Sequence, residues 1–229
     1  MTHVLAIQHE PFEGPGTLDE ALGGCSLRIV RTYQSESIPK TLDADGLVVL
    51  GGGMGVYEAD RHPDLHDEMR LLREVVRLGR PVLGVCLGSQ LLAAALGGTV
   101  AKAPRKEIGW YGVELLSGAR GDALFGAAPP AFTAFHWHGD AFTLPDGAVP
   151  LAASAMTPLQ AFRAGSRAWG VQFHLETDAE VLDSMLRTGG AELAETGVDP
   201  SAVRARAAAE LPALRRLALE VFSRWAALL

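Results

Sequence analysis

The stretch Arg80 to Gly98, RPVLGVCLGSQLLAAALGG, joins a short apolar run to a helix-forming run through a single cysteine. Pro81 to Val85 predicts a buried strand, and Leu87 to Leu96 predicts a helix because leucine and alanine dominate it and two glycines follow it. Cys86 then stands at the turn between them, with a glycine two residues away on either side. This arrangement is typical of a nucleophile elbow, a tight strand-to-helix turn that presents a reactive side chain.

Two interpretations of Cys86 are open at this point. An elbow pushes the sulfur into solvent, and the unpaired N–H groups at the start of a helix lower the pKa of a thiol. This interpretation predicts an exposed, reactive nucleophile. The other interpretation is a buried cysteine that packs as a small hydrophobic residue, which is the usual fate of a free cysteine.

A catalytic thiol needs a base, and the base needs an acceptor that orients it. Trp169 to His174 predicts a strand that ends in a histidine, and Glu176 follows two residues later. Residues two apart in an extended chain share a face, so Glu176 can hold one nitrogen of His174 while the other nitrogen faces Cys86. The three residues predict a Cys-His-Glu triad. The alternative is that His174 merely ends a strand.

The chain has 229 residues, two cysteines and a formal net charge of -7. This length predicts one α/β domain over residues 1–229. The low cysteine count indicates a reducing compartment, and we expect a cytoplasmic protein. The negative charge argues against nucleic acid as a partner, and no apolar run approaches the roughly 18 residues of a membrane span. We therefore expect neither nucleic acid nor membrane as a partner.

Apolar runs alternate with helical patterns up to the elbow, which predicts a doubly wound, mostly parallel sheet with helices on both faces. These runs are Val4 to Gln8, Leu27 to Arg31 and Leu47 to Leu50. Shorter runs after Thr99 predict a small antiparallel extension. They are Gly112 to Leu116, Ala131 to Trp137, Val149 to Ser154, Leu159 to Arg163 and Ala168 to Phe173. From Pro200 a long helix is expected to dock its apolar stripe on the body of the domain.

Four motifs occur in the order of a known family: Gly51 to Gly53, Gly84 to Gln90 (G-x-C-x-G-x-Q), His136 to Asp140 and Phe173 to Glu176. With them, nearly the whole chain resembles the class I (triad) glutamine amidotransferases, which have a flavodoxin-like fold. The resemblance is strongest to free-standing members similar to the glutaminase domain of GMP synthase. It implies that Cys86 attacks the side-chain amide of a glutamyl group, that His174 moves the proton and that Glu176 orients His174.

The resemblance also implies the surroundings of the triad. The N–H groups of Gly53 and Leu87 would form the oxyanion hole. The substrate-binding residues would be Gly52, Gln90, Trp137, His138 and Gly139. Two departures from the family pattern stand out. Leu175 replaces a proline between the histidine and the glutamate, and Gly53 replaces a proline in the glycine loop, which leaves that loop freer.

The remaining polar residues give weaker signals. His136 and His138, with Asp140 on the same face, suit zinc by type, but no residue nearby in the sequence completes the set, so we expect no metal. No nucleotide-binding glycine motif is present and no cofactor is expected. Cys25 receives no role, and Glu107 only resembles a short family motif near the site.

Three functions stay open on the sequence. The first is a glutaminase that releases ammonia for a separate synthetase. The second is a self-sufficient hydrolase of γ-glutamyl amides or peptides, and the third is a regulatory module without turnover, which the intact triad disfavours. The two enzymatic functions take a small-molecule substrate, glutamine or a γ-glutamyl compound, and a homodimer is an open possibility.

Overall fold

A computed structural model describes residues 1–229 as nine strands and six α-helices. The strands are β1 His3–Gln8, β2 Ser26–Arg31, β3 Gly46–Val49, β4 Val82–Val85, β5 Val100–Leu115, β6 Ala131–Phe142, β7 Val149–Ser154, β8 Ala161–Ala164 and β9 Ala168–Val171. The helices are α1 Thr17–Ala21, α2 Asp64–Arg77, α3 Leu87–Ala95, α4 Ala179–Thr188, α5 Gly190–Thr196 and α6 Pro200–Ala226.

The strands form a single sheet in the order β2-β1-β3-β4-β9-β8-β7-β5-β6. The first five of these pair in parallel, with the arrangement of a flavodoxin-like sheet. The strand order reverses direction between β1 and β3, and ligands of such sheets bind beside that reversal, at the carboxyl ends of the strands. The predicted α/β class and mostly parallel sheet are confirmed.

The other four strands form the antiparallel extension, which is dominated by the long pair β5 and β6. The sequence analysis expected only Gly112 to Leu116 in β5 and ended the run that corresponds to β6 at Trp137. Both expectations were too short: β5 begins at Val100, and the whole of 136–140 lies in β6. Within the missed part of β5, residues 100–106 are exposed or half-buried and show no apolar run, and residues 100–102 pair with β6.

Alternate residues of the parallel strands face opposite sides of the sheet. Val4 and Ala6 belong to the core under α1, α4 and α6, whereas Leu5 and Ile7 belong to the core under α2 and α3. The long helix α6 buries the stripe Leu214, Leu217, Val221 and Trp225, so the prediction that it docks on the body is confirmed. None of the helices is both long enough and apolar enough to span a bilayer.

Two details of the last helices differ from expectation. Thr177 and Glu180 have the spacing of a capping box, but the capping residue of α4 is Asp178, whose Oδ1 accepts hydrogen bonds of 2.9 Å from the N–H groups of Glu180 and Val181. Aspartate is as good a cap as threonine, and it stands one residue closer to the helix. The short helix α5 was not predicted, because its seven residues are too few to show a periodic pattern.

Candidate active site

The turn from β4 into α3 has the geometry of an elbow. Cys86 has a φ of 49°, a left-handed value that only one other non-glycine residue of the chain adopts. The strand and helix approach so closely that a Cβ on Gly84 would lie 2.4 Å from the Gly88 oxygen, and one on Gly88 would lie 2.0 Å from the Val49 oxygen. Neither glycine can therefore carry a side chain without moving the backbone.

The thiol of Cys86 is buried, contrary to the expectation of an exposed sulfur. The residue is 5% exposed, its thiol donates to the Trp137 carbonyl oxygen at 3.6 Å, and the Gln172 side-chain amide donates to Sγ at 3.8 Å. Burial raises the pKa of Cys86 even though the neighbouring His174 lowers it. The helix terminus therefore does not produce a free thiolate by itself, and reactivity requires that His174 accept the thiol proton.

His174 and Glu176 lie just beyond β9 and form a buried pair. The backbone N–H of His174 donates to the Phe135 oxygen at 2.8 Å, and Nδ1 lies 2.7 Å from Glu176 Oε1. The other ring nitrogen, Nε2, has no hydrogen-bond partner. Burial opposes the charge on His174, but Glu176 and Cys86 together raise its pKa well above the usual value. The structure thus brings the three predicted residues together, with Leu175 buried between the pair.

Both ends of the glycine loop after β3 are held by hydrogen bonds. His9 Nδ1 lies 2.8 Å from the Gly51 oxygen, and the Gly55 N–H donates to Glu58 Oε2 at 2.9 Å. The N–H groups of Gly52 and Gly53, between these two bonds, donate to no acceptor in the protein. The sequence analysis expected this loop to be freer because it lacks the family proline. In the structure, the two hydrogen bonds fix both of its ends.

His9 belongs to a second buried histidine–glutamate pair, which the sequence analysis missed. Its Nε2 lies 3.0 Å from both carboxylate oxygens of Glu68, and neither side chain is exposed. Burial alone would lower the pKa of His9, but Glu68 and the Gly51 carbonyl raise it to about 9. The pair therefore carries opposite charges at neutral pH and lies directly behind the glycine loop.

A cavity of about 740 Å³ opens above Cys86 at this edge of the sheet. Its lining includes the predicted residues Gly52, Gly53, Gln90, Trp137, His138 and Gly139. Leu87, the first residue of α3, is not part of this lining, and its side chain is buried. The predicted substrate residues, although distant in sequence, therefore share one cavity.

The far wall of the cavity carries charged residues that the sequence analysis did not identify. The Trp137 Nε1 group donates to Glu192 Oε2 at 2.6 Å, and Lys106 Nζ donates to Glu192 and Glu195 at 2.9 Å each. These contacts tie β5 and β6 to the short helix α5. Cys25 is half-buried and is not part of the cavity wall.

Two successive hydrogen bonds connect Gln90 to Cys86 by way of the Gln172 side chain. The Gln90 amide donates to Gln172 Oε1 at 3.3 Å, and the Gln172 amide is the group that donates to Sγ. Gln172 precedes His174 by two residues on the strand-like segment. That alternation, already used to pair His174 with Glu176, was the signal that could have found it.

His136 and His138 lie beside Glu107, and candidate ligand atoms of the three residues are all within 4.8 Å of one another. Strand register explains the cluster: Glu107 of β5 pairs with His138 of β6, a contact that distance along the chain did not reveal. Asp140, the third residue grouped by the sequence, is instead 3.4 Å from the Tyr57 hydroxyl.

Hydrogen bonds within this cluster account for most of its polar atoms. The Gln160 amide donates to Glu107 Oε2 at 2.8 Å and lies 3.4 Å from His138 Nε2. Burial and the neighbouring His138 lower the pKa of His136, which is neutral as a result. We assign the cluster no metal, because the Gln160 amide donates to the carboxylate oxygen that a metal would need and that lies 3.3 Å from His138 Nε2.

Comparisons with known proteins agree with this geometry. Residues 19–190 match the family described as glutamine amidotransferase class-I. The glutamine amidotransferase-like protein YfeJ of Salmonella typhimurium is 33% identical over 195 residues, which cover 82% of each chain. The glutamine-hydrolyzing GMP synthase of Aeropyrum pernix is 36% identical over 200 residues, but these cover 79% of this chain and only 37% of that protein.

Solved structures extend the agreement over the whole chain. A glutamine amidotransferase from Thermotoga maritima superposes with a TM-score of 0.90 at 32% identity, covering 98% of both chains. Another from Methylobacillus flagellatus gives a TM-score of 0.87 at 30% identity, covering 98% of this chain and 94% of that one. With its elbow cysteine beside a paired histidine, this chain is an enzyme of the class I glutamine amidotransferase family.

Proposed function

We propose that the chain is a glutaminase, which hydrolyses the γ-amide of glutamine through a γ-glutamyl thioester on Cys86 and releases ammonia. One observation carries the proposal: in the wall of a cavity, Cys86 lies beside a histidine whose Nδ1 is held by Glu176 and whose Nε2 has no partner. A nucleophile, a base and an orienting acceptor are the minimum set for acyl transfer at a thiol.

In the proposed acylation, His174 Nε2 takes the thiol proton, and Sγ attacks the γ-carbonyl carbon. The oxyanion that forms is stabilised by the N–H groups of Gly53 and Leu87. His174 then gives the proton to the amide nitrogen, the C–N bond breaks, and ammonia leaves the acyl group on sulfur. A water molecule, deprotonated by His174, attacks the thioester and releases glutamate. Glu176 stabilises the positive ring in each transfer.

The rest of the glutamyl group would bind along the cavity. Gln90, Gly52 and the backbone of 137–139 would hold its α-amino and carboxylate groups, as the family resemblance implies. Support comes from their position, since all of them line the cavity that contains Cys86. The free N–H groups of Gly52 and Gly53 support a role in binding an anionic oxygen, because each lacks an acceptor in the protein.

The proposal is tested with a glutamine analogue that carries an electrophilic carbon in place of the amide. We expect it to label Cys86 of the wild-type chain and to leave Cys25 unmodified, as peptide mass analysis will show. Cys86→Ala should lose labelling and glutamine hydrolysis together, while Cys25→Ser should retain both. Labelling at Cys25, or hydrolysis of glutamine by Cys86→Ala, would refute the proposal.

A second candidate function, hydrolysis of larger γ-glutamyl amides or peptides, is favoured by the size of the cavity. About 740 Å³ is more space than free glutamine fills, and the wall formed by Trp137 and Glu192 lies where a larger leaving group could extend. The same triad would serve both reactions. If kcat/KM for a γ-glutamyl dipeptide exceeds that for glutamine by about two orders of magnitude, or about 2.7 kcal/mol of transition-state binding, the second candidate replaces the first.

The ammonia released by the proposed glutaminase would go to a separate synthetase. This partner is proposed because the GMP synthase of Aeropyrum pernix contains a segment similar to this chain within a much longer protein. Such an arrangement predicts slow glutamine hydrolysis by the isolated chain. Addition of the cognate synthetase and its acceptor should raise kcat, whereas a self-sufficient hydrolase should be insensitive to it.

A further inference from the structure

Glu13 lies in the loop after β1 and contributes to the wall of the cavity that contains Cys86. The residue is only 7% exposed, and its carboxyl group makes no hydrogen bond within the protein. Oε2 is fully inaccessible and has no partner. Since burial of an unpaired carboxyl group is costly, its retention in a cavity wall points to a ligand that supplies the missing hydrogen bond.

The position of Glu13 relative to the triad identifies which part of a substrate it meets. A Cβ on Gly51 would stand 1.8 Å from Glu13 Oε2 and 3.2 Å from His174 Cε1, so the carboxyl group and the ring edge are near neighbours. Cε1 lies between the two ring nitrogens, and one of them, Nε2, delivers a proton in the proposed reaction. Glu13 and Cys86 line the same cavity, so the carboxyl group lies near both the reacting thiol and the edge of the histidine ring.

We propose that Glu13 binds the leaving nitrogen of the γ-glutamyl amide, an inference that rests on the proposed function. His174 Nε2 gives its proton to this nitrogen in the tetrahedral intermediate, and the nitrogen carries positive charge until the C–N bond breaks. The C–N electron pair then moves to nitrogen, neutral ammonia leaves, and the acyl group stays on sulfur. A carboxylate that accepts an N–H bond from the charged nitrogen stabilises the intermediate more than the neutral amide. The fitting leaving groups are ammonia and primary amines, and the site offers nothing to an ester oxygen.

The charges around Glu13 suit this role. Burial raises the pKa of Glu13 to about 7; the cations His174 and His9 oppose the rise, and the carboxylates Glu176 and Glu10 add to it. Glu13 therefore gains its negative charge near neutral pH. A cationic nitrogen in the cavity would favour that charge further, so ligand and carboxylate stabilise each other.

The first test uses two substrates with the same acyl group, glutamine and the γ-methyl ester of glutamate. Both form the same thioester, but only glutamine has a leaving nitrogen. Glu13→Gln should lower kcat/KM for glutamine about 10- to 100-fold, the range expected for a hydrogen bond to a charged group, and change the ester by less than about threefold. Retained ester hydrolysis also shows that the variant is folded.

Glu10→Gln is the matched control, because it removes the same charge from the same loop at a partly exposed position. It should leave both substrates unaffected. Equal losses on amide and ester in Glu13→Gln would assign Glu13 to the acyl group or to the triad and overturn the inference. An unchanged rate on glutamine would overturn it as well.

A second test does not depend on turnover. In a Cys25→Ser background, methylammonium should slow alkylation of Cys86 by iodoacetamide in a saturable manner, and tetramethylammonium, which has no N–H group, should not. Glu13→Gln should abolish the difference between the two cations. If the wild type hydrolyses neither substrate, the proposed function fails, but this assay still decides whether Glu13 binds an amine, and identical effects of the two cations refute it.

Discussion

Two buried histidine–glutamate pairs flank the glycine loop, and they differ in one property. In the pair behind the loop, His9 uses both ring nitrogens, one on Glu68 and the other on the Gly51 oxygen. In the pair beside Cys86, His174 uses only Nδ1, on Glu176, and Nε2 has no partner. A histidine with both nitrogens bound within the protein supports structure, whereas one with a free nitrogen beside a thiol can transfer a proton.

The third histidine–glutamate contact, between His138 and Glu107, resembles the His9 pair. His138 Nδ1 lies 3.2 Å from the Asp140 oxygen, and Nε2 lies 3.3 Å from Glu107 Oε2. Both nitrogens are again engaged. The comparison therefore separates one candidate catalytic histidine from two that hold the walls of the cavity in place.

The largest expected effect is the loss of activity in His174→Ala. We expect kcat for glutamine to fall by about 10⁴-fold or more, since the members of a catalytic unit act together. The variant should also lose stability, because Glu176 then lies buried without its partner. His9→Ala should instead retain most of its activity per folded molecule. It leaves Glu68 buried without its partner and should lower the free energy of unfolding by about 3–5 kcal/mol.

Steady-state kinetics and denaturant unfolding of these two variants measure the contrast. If His9→Ala proves as inactive per folded molecule as His174→Ala, the distinction between a catalytic and a supporting pair is wrong. Cys86→Ala serves as the reference for complete loss of the chemical step.

The glutamates extend the comparison with a smaller effect. Glu176→Gln can still accept a hydrogen bond from His174 but cannot stabilise the charged ring, so it should retain about 10- to 100-fold more activity than His174→Ala. Glu68→Gln should instead lower stability and preserve most of kcat. A Glu176→Gln variant less active than His174→Ala in the same assay would contradict the role given to the carboxylate.

Gly51 lies between the two histidine–glutamate pairs. A substitution at this position tests whether the supporting pair and the catalytic pair can be perturbed separately. A methyl group at this position would meet Glu13 Oε2 at 1.8 Å, so Gly51→Ala must displace Glu13 or the loop. We expect a loss of about 1–3 kcal/mol in stability, as for overpacking elsewhere, together with lower kcat/KM. Unfolding titrations and glutamine hydrolysis measure the two effects. Gly112→Ala, at an exposed position outside the cavity wall with no atom within 4 Å of the added methyl group, is the control.

The central fold could be predicted from the sequence because its strands are buried on both faces. β1, β3 and β4 appear as unbroken apolar runs, and each was located to within a residue or two. The first half of β5 could not be found in this way, because residues 100–106 are exposed or half-buried and only 100–102 of them pair with β6. A search for apolar runs finds strands that are buried, and little of this segment is buried.

The site residues also fall into two groups, those marked by local sequence patterns and those that only the fold brings together. Cys86, His174 and Glu176 were predictable because an elbow and a two-residue spacing are local patterns. Glu13 and the His9–Glu68 pair required knowledge of which loops meet. A signal existed even so: the loop HEPFEGPG follows β1 at the edge of the sheet where Cys86 and the glycine loop lie. The burial of the Cys86 side chain was not predicted, because the residues that cover it come from β6 and from the segment after β9.

A further expected effect is the pH dependence of stability that the His9 pair contributes. The pKa of His9 is raised from its ordinary value of 6.5 to about 9 in the folded protein. The folded state therefore holds a proton that the unfolded chain releases between these values, so the contribution is complete below pH 6.5 and is lost as the pH rises through about 9. Wild-type protein should become easier to unfold by urea over this interval. Glu68→Gln, which removes the charge that raises this pKa, should be less stable at pH 6 and should show a flatter profile up to pH 9. Parallel profiles for the two proteins would mean that His9 is neutral in the folded state and that its bond to Gly51 alone holds the loop.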